Sequence, residues 1–431
     1  MADYLPGLSD LRLPSFHRIG QRFPTPTIAD PAAVVAAELA KPEIVARLRP
    51  GQRAAIAVGS RGIAHLADLV RALVAGLRAH GVEPFIVPAM GSHGGATAEG
   101  QRAVLTGYGV SEATVGAPIR ASMEAETIGA LIANGDGYRP CAGDAPGAIP
   151  VYLDRHAWHD ADLVIPVARV KPHTGFRGPV ESGIAKMLCI GLGKHVGCAR
   201  LHREGYGRFA ALIPAAAALT LATGKVPFAL AVIENAAEDI ALIEAVAAAA
   251  IATREPELLA LARTLMPRLL LPEIDVLVID EIGKDLSGTG MDPNITGRGE
   301  LGQPRGFTGP RIGRIVVLGL STATKGNATG IGLADLITRR CADAIDRDAT
   351  ATNVLTSGSL AGGKIPLSIP GDDAVAILAA ASCLPGVAAH DARIVRIRST
   401  LQLSEIAVSA NLLPTVTAIA GLSDLGPFSG W

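Results

Sequence analysis

Short apolar runs that alternate with helical patterns constrain this chain more than any other feature. RAAIAVG (residues 53–59) is such a run, a helical pattern follows over residues 63–80, and EPFIVPA (residues 83–89) is the next run. Another helix is predicted from near Thr97, with Glu99 in its first turn, where a negative charge suits the helix dipole. Strands that alternate with helices in this way predict parallel βαβ packing.

Later runs continue the pattern. We predict strands over residues 162–168, 228–235, 275–283 and 314–320, and a helix over residues 240–268 with breaks at Pro256 and Pro267. The Ala-rich run of residues 210–222 contains Pro214 and is too short for a membrane span, so it is predicted to be a buried helix.

A chain of 431 residues is too long for one ordinary core and predicts two α/β domains. We place the boundary near Leu270, which gives an N-terminal domain of residues 1–270 and a second domain of residues 271–400. Both are expected to contain mostly parallel sheets, with an active-site cleft between them. Residues 401–431 are a candidate to pack back on the first domain.

Composition and charge narrow the classes of function. Hydrophobic residues make up 49% of the chain and charged ones 18%, which predicts a large core and excludes a disordered chain. A formal net charge of −1 does not indicate the basic surface that binds nucleic acid. Five cysteines without a CxxC pair and an N-terminus without an apolar signal segment favour a reducing cytoplasm. We therefore expect a small-molecule ligand and no membrane or nucleic-acid partner.

The loop GSHGGAT contains the first candidate catalytic residue, His93. Its glycines permit close approach of the backbone to a ligand, and Thr97 is placed to cap the next helix, whose free N–H groups suit a phosphate or carboxylate. A neutral imidazole accepts a proton near pH 7. The alternative is a turn whose histidine is only solvated.

Two further histidines lie in loops of unusual composition. His173 in KPHTGFRG is flanked by Lys171 and Arg177, which suits an anionic ligand, although a basic surface loop has the same composition. His202 in CARLHREGYGRF is a candidate metal ligand, with His195 as its competitor, although a surface pair with Arg or Glu is the more common role. HExxH and CxxC patterns are absent, so zinc lacks support in the sequence.

These motifs, taken in order, resemble the nickel-pincer-nucleotide-dependent lactate racemase family of 2-hydroxyacid racemases and epimerases. The residues that carry the resemblance are SRG with Arg61, GSHGGAT with His93, KPH with His173, SGIAKMLCIGLG with Lys186, and His202. The resemblance implies an isomerase that acts on hydroxyacids.

The resemblance also implies a cofactor, nickel held by pyridinium-3,5-bisthiocarboxylic acid mononucleotide, which cofactor-synthesis enzymes would supply. By matching position, His202 would bind nickel, Lys186 would bond to a thiocarboxyl arm, and Arg61 would lie near the nucleotide. His93 and His173 would be the paired general bases, one for each hand of substrate. Each would take the hydroxyl proton while hydride passes from Cα to the cofactor and returns to the other face. Non-covalent cofactor binding is the alternative at Lys186, because FRGPVESGIA makes the spacing from His173 longer than in lactate racemase.

The expected substrate-binding loop follows the strand at residues 275–283. It reads GKDLSGTGMDPNITGR and lacks the family's Tyr-Gln segment. Its polar candidates for contact with substrate, together with a lysine from AGGKIP, are Lys284, Asp285, Asp292, Asn294, Arg298 and Lys364. A lining of this kind predicts a hydroxyacid more polar or larger than lactate. Turn formation is the alternative for Asp292 and Asn294, and a surface position is the alternative for Lys364.

Two other classes of protein fit the same loops. A phosphate-ligand transferase would use GSHGGAT only as an anion loop. A non-catalytic nucleotide-binding protein would bind a cofactor but need only one of the two histidine bases.

Overall fold

The computed structural model describes residues 8–60, 62–299 and 306–430 and divides into two compact units. The histidine unit is Pro24–Met266, and the composite unit joins Met1–Phe23 to Pro267–Trp431. This division differs from the predicted domains, because the N-terminal segment belongs with the C-terminal part of the chain.

The strands in the described residues are β1 (Phe16–Gln21), β2 (Arg53–Val58), β3 (Glu83–Pro88), β4 (Ala125–Asn134), β5 (Gly137–Cys141), β6 (Ile149–Asp154), β7 (Leu163–Arg169), β8 (Phe228–Glu234), β9 (Ile240–Ala247), β10 (Glu273–Ile282), β11 (Arg311–Leu320), β12 (Leu336–Thr338), β13 (Leu367–Ile369), β14 (Ile394–Ile397), β15 (Glu405–Ser409) and β16 (Leu422–Pro427). The α-helices are α1 (Pro31–Leu39), α2 (Pro42–Val45), α3 (Leu66–Ala79), α4 (Ala98–Gly107), α5 (Glu112–Val115), α6 (Arg155–His159), α7 (Ile184–Lys186), α8 (Lys194–His202), α9 (Phe209–Ala222), α10 (Ile251–Leu265), α11 (Pro293–Thr296), α12 (Arg339–Asp343), α13 (Arg347–Ser357), α14 (Asp373–Ser382) and α15 (Leu413–Ala418). A π-helical turn, Met187–Gly191, continues α7.

The histidine unit is built on a five-stranded sheet in the order β3-β2-β7-β8-β9, in which the first four strands are parallel and β9 is antiparallel. Alternate residues of β2 contribute to two different hydrophobic clusters: Ala54, Ile56 and Val58 to one, Ala55 and Ala57 to the other. Both faces of the sheet are therefore covered, as parallel sheets require. The predicted α/β class with mostly parallel sheets is confirmed.

The prediction of one helix over residues 240–268 is wrong in its first third. Ile240–Ala247 forms β9, which pairs along its whole length with the fully buried strand β8, and the helix α10 begins only at Ile251. Pairing with a buried neighbour overrides the helical preference of alanine-rich sequence.

A three-stranded antiparallel sheet in the order β5-β4-β6 was not predicted from the sequence. The Ala-rich run forms α9, whose buried residues include Phe209, Leu212 and Ile213, so the predicted buried helix is confirmed. Within the described ranges no single helix is long and apolar enough to cross a membrane. The two segments Lys194–His202 and Tyr206–Ala222 meet that criterion only together, and they are bent by 89°.

The composite unit contains an eight-stranded sheet in the order β13-β12-β11-β10-β14-β15-β1-β16. Strands β10 to β14 are parallel, whereas β15 and β16 both run antiparallel to β1. The C-terminal strands therefore pair with the N-terminal segment of the chain, and that segment is part of the composite unit rather than of the histidine unit.

Candidate active site

Loops that follow the parallel strands of the histidine unit meet at one edge of its sheet. The backbone N–H of Gly91 donates to Gly191 O at 3.1 Å. A Cβ atom on Gly191 would lie 2.6 Å from Ala89 O, so only glycine permits this approach. A Cβ on Gly59, just before the SRG motif, would lie 3.1 Å from Met187 Cε. Arg61 itself lies outside the described residues.

The His93 loop (residues 89–97) leaves β3 and leads into α4. The imidazole of His93 is exposed, and its backbone N–H donates to Met90 O at 3.1 Å. Gly94 and Gly95 adopt φ values of +66° and +65°, a region that favours glycine. The hydroxyl of Thr97 accepts from Gly100 N at 3.0 Å, so the predicted helix cap is confirmed.

Contacts at both ring nitrogens fix the orientation of the His173 imidazole, which lies in the His173 loop (residues 171–178). Gly175 N–H donates to Nδ1 at 2.9 Å, and Nε2 lies 2.6 Å from the Nζ atom of Lys186. Since Nδ1 accepts, the proton of the neutral ring lies on Nε2. The contact with Lys186 at Nε2 is the second contact that holds the ring.

A buried carboxylate holds the His173 loop. Glu181, whose side chain is fully buried, accepts from His173 N at 2.6 Å and lies 3.3 Å from Arg177 and 2.6 Å from Arg263. The charge of Arg177 is thus paired within the protein, which differs from the expectation of an anion-binding cationic loop.

His202 is half-buried near the C-terminus of α8. Its Nδ1 donates to Cys198 O at 2.7 Å, so the lone pair of the neutral ring lies on Nε2. The Cys198 sulfur lies 3.6 Å from this Nδ1 and 3.8 Å from Ser92 Oγ, and it therefore links α8 to the His93 loop. Burial raises the pKa of Cys198, but the hydrogen bonds with His202 and Ser92 and the electrostatic effect of His202 lower it by more, so the pKa lies below its ordinary value.

Tyr206 lies between two of the candidate histidines. Its ring centroid is 5.9 Å from that of His173 and 5.7 Å from that of His202, and Phe209 closes the cluster at 5.1 Å from His202. The competing candidate His195 is exposed near the start of α8. The described structure thus brings His173, Lys186 and His202 together through one aromatic cluster.

Polar residues of the composite unit gather at the carboxyl ends of β10 and β11. Lys284 N donates to Thr324 Oγ1 at 3.1 Å, and Ser321 Oγ donates to Asp285 at 2.6 Å. The ammonium of Lys284 donates to Gly288 O at 2.7 Å. Lys284 and Asp285 therefore lie at the strand edge where ligands of such sheets bind.

The other candidates in this unit have structural partners or lie elsewhere. Asp292 caps α11 and accepts from both nitrogens of Asn294, at 2.8 and 2.7 Å, which is the turn alternative. Arg298 pairs with Asp335 at 2.6 Å and donates to Gly313 O, near the amino end of β11. It is therefore separated from Lys284 by the length of the sheet.

Lys364, the remaining candidate, is exposed and follows a 3-10 turn.

Comparison with known proteins gives distant structural matches only. No protein-family model matches the chain, and no curated protein matches it in sequence. One similar solved structure is a structural-genomics protein from Thermotoga maritima, at 14% identity and a TM-score of 0.46, with 66% of this chain and 69% of that chain covered. Another is the lactate racemase apoprotein from Thermoanaerobacterium thermosaccharolyticum, at 12% identity and a TM-score of 0.42, with 86% of each chain covered. Both similarities are too distant to indicate what this chain does.

His202 can supply one ligand to a metal whose other ligands come from a cofactor. Among the described residues no group of three or more His, Cys, Asp or Glu side chains is arranged to hold a metal ion. A pincer cofactor requires a single imidazole from the protein, and His202 offers Nε2 while Nδ1 is held by Cys198 O.

Proposed function

We propose that the chain is a racemase or epimerase of 2-hydroxyacids that uses a nickel-pincer nucleotide. The observation that carries the proposal is the cluster of Lys186, His173 and His202, in which hydrogen bonds fix the proton positions of both imidazoles. These three residues are also the ones that the sequence motifs match to the cofactor and base positions of the lactate racemase family.

The proposed roles follow from the atoms that each side chain presents. His202 would hold nickel through Nε2, and Lys186 would hold a thiocarboxyl arm of the cofactor. The cofactor, when bound, supplies reversible acceptance of hydride from Cα of the substrate. The free N–H groups of the helix after the His93 loop are proposed for the nucleotide phosphate.

Residues of the His93 loop and the His173 loop are proposed to carry out proton transfer. His93, whose ring is exposed, is the base for one hand of substrate and takes the hydroxyl proton. For the other hand, the base is His173, whose Nε2 lies 2.6 Å from Lys186 Nζ. His173 itself can accept a second proton only when the Gly175 contact at Nδ1 breaks.

The substrate is proposed to be more polar or larger than lactate. Lys284 and Asp285 lie together at the carboxyl ends of β10 and β11, and a lining that forms hydrogen bonds discriminates against analogues without the extra polar group. Arg298 is not included in this proposal because its contacts lie near the amino end of β11, and Asp292 is not included because it caps α11.

Racemisation of lactate, malate and sugar acids by the cofactor-loaded chain tests the function. A Cα-deuterated substrate should keep its label in both hands of product, because hydride does not exchange with water. His93→Ala and His173→Ala should each lower the rate by roughly 100- to 10,000-fold, the usual contribution of an acid–base group.

Other outcomes would identify a different protein. Rapid incorporation of solvent deuterium at Cα would show simple proton abstraction instead of hydride transfer. Loaded protein that racemises none of these acids, with phosphate ligands bound at the His93 loop, would indicate the transferase or the nucleotide-binding protein.

A further inference from the structure

A buried lysine begins the helix that carries His202. The side chain of Lys194 is fully buried, and its Nζ lies 3.0 Å from an oxygen of Asp154, which is also fully buried. The same Nζ donates to Pro88 O at 2.7 Å and to Gln101 Oε1 at 3.2 Å. Two of the three N–H donors of the ammonium group thus have backbone or side-chain acceptors, and Asp154 supplies the opposite charge as an ion pair. This is the condition under which a charge is tolerated away from water.

The partners of Lys194 lead to the His93 loop. Pro88 is the last residue of β3, from which the loop departs. Gln101 is fully buried in α4, at the other end of the loop, and its Nε2 donates to Gly91 O at 2.8 Å and to His93 O at 3.3 Å. A continuous chain of polar contacts therefore runs from the start of α8 to the backbone of His93.

The backbone at Lys194 is held in an uncommon conformation. Lys194 has a φ of +55°, in the left-handed region that favours glycine, although it is not a glycine. Non-glycine residues persist in this region where the surrounding structure holds them.

The middle of α8 also contacts the His93 loop. Cys198 lies 3.8 Å from Ser92 and supports His202 through its carbonyl oxygen. The helix is thus linked to the loop through Gln101 at Lys194 and directly at Cys198, one turn later.

We propose that Lys194, Asp154 and Gln101 form one buried network that sets the position of His93 relative to His202, with Lys194 and Gln101 as positioning residues. The catalytic consequence rests on the proposed function, whereas the placement of the two imidazoles does not. The network does not touch the reacting atoms and acts only through the loop and the helix that it joins.

Gln101→Met is the decisive variant. Methionine keeps the length of the side chain and keeps Asp154 as the partner of Lys194. It loses the donors to Gly91 O and His93 O and the acceptor for Lys194 Nζ. Lys194→Met would leave Asp154 buried without its partner, and failure of that variant to fold is expected.

Gln21→Met is the matched control. Gln21 is also buried, and its Nε2 also donates to two backbone carbonyls, Arg268 O at 3.2 Å and Leu403 O at 2.7 Å. These contacts lie in the composite unit, so the control reproduces the loss of stability without the link to the histidine loops.

The test uses the full chain with ¹³C-labelled histidine rings and then the cofactor-loaded enzyme. In Gln101→Met, the ring resonances of both His93 and His202 should shift, and in Gln21→Met neither should. For the loaded enzyme we expect kcat to fall by roughly tenfold to 100-fold, with KM changed less, the effect of displacing a catalytic group by about 1 Å.

The two possible failures are distinguishable. Resonances of His93 and His202 that stay at their wild-type positions in Gln101→Met, or that move equally in the control, would overturn the positioning role. Resonances that move as expected in an enzyme without racemase activity would support the network and reject the proposed function.

Discussion

At the residue scale, three candidate segments of the histidine unit are each held by one buried glutamate. Glu181 accepts from the backbone of His173 at 2.6 Å. Glu234 accepts from Ala64 N at 2.7 Å beside the SRG motif, and Glu255 accepts from Ala185 N at 3.0 Å next to Lys186. A buried carboxylate that binds backbone N–H groups fixes a loop more firmly than a neutral acceptor does.

These glutamates could not be found from the sequence. A single glutamate in a helix or strand most often lies on the surface, and only the fold reveals that Glu181 and Glu255 are buried. The histidine loops could be found, because glycine, proline and histidine together mark unusual backbone. Tyr206 was missed for the same reason as the glutamates, since its position between His173 and His202 depends on a turn after α8.

Glu255 predicts a dependence of stability on pH. Burial raises its pKa from an ordinary 4.5 to about 7, although N–H groups of Ala185 and Ile184 lower it in part. A raised carboxyl pKa stabilises the folded protein fully below the unfolded value, and this contribution is lost as the pH rises through about 7. The difference corresponds to about 3 kcal/mol.

Glu255→Gln should therefore remove this pH-dependent contribution to the free energy of unfolding. Urea unfolding at pH 5 and pH 8 is expected to give a smaller fall in the free energy of unfolding for Glu255→Gln than for the wild type. Equal falls in both proteins would show that Glu255 ionises as readily in the folded chain as in the unfolded one.

His202 predicts the outcome of a metal assay. Its Nδ1 is held by Cys198 O and its Nε2 is available, whereas His195 is exposed near the start of α8. Chains loaded with the nickel-pincer nucleotide should lose nickel in His202→Ala and keep it in His195→Ala, as measured by metal analysis after desalting. The reverse result would assign the ligand to His195.

At the element scale, the sequence predicts the strands of the repeating strand–helix pattern. It misses the strands that are specified by pairing with a neighbouring strand. Strands β2, β3, β7, β8, β10 and β11 all lie where apolar runs predict them. The runs are recognisable because strands of a parallel sheet are buried on both faces. Strand β9 and the sheet β5-β4-β6 are only partly buried and are specified by pairing with neighbours, so their local sequence does not reveal them.

The start of α4 gives a prediction at this scale. A Cβ on Gly100 would lie 1.8 Å from Gly94 O, so the first turn of the helix packs against the backbone of the His93 loop. Gly100→Ala should lower the free energy of unfolding by roughly 1–3 kcal/mol, the usual cost of overpacking. It should also impair racemisation, because His93 precedes Gly94.

Gly107→Ala, at the end of the same helix, is the control. A Cβ there would meet nothing within 4 Å, and alanine should raise stability by roughly 0.5–1 kcal/mol. Chemical denaturation of both variants measures the difference. Equal stabilities would mean that the close packing of Gly100 against Gly94 is not required.

At the scale of the whole molecule, the two units differ in how the chain builds them. The histidine unit is one continuous segment, Pro24–Met266, whereas the composite unit needs both ends of the chain. Strand β1 lies between β15 and β16 and contributes the fully buried Ile19. The boundary predicted near Leu270 from the prolines around it lies close to the junction between Met266 and Pro267. The junction between Phe23 and Pro24 was missed, because no local signal indicates that residues 16–21 pair with strands about 400 residues away.

This arrangement predicts how fragments fold. Residues 24–266 expressed alone should fold, because the five-stranded sheet and both of its hydrophobic clusters lie within that segment. A chain of residues 24–431 lacks β1, which leaves β15 and β16 without their common neighbour and exposes unpaired strand edges. Hydrogen–deuterium exchange should then show protection retained in β2, β3 and β7 but lost in β14 to β16, with the full-length chain as the reference. An unfolded 24–266 fragment, or a 24–431 chain protected like the full-length protein, would show that the units do not fold along this division.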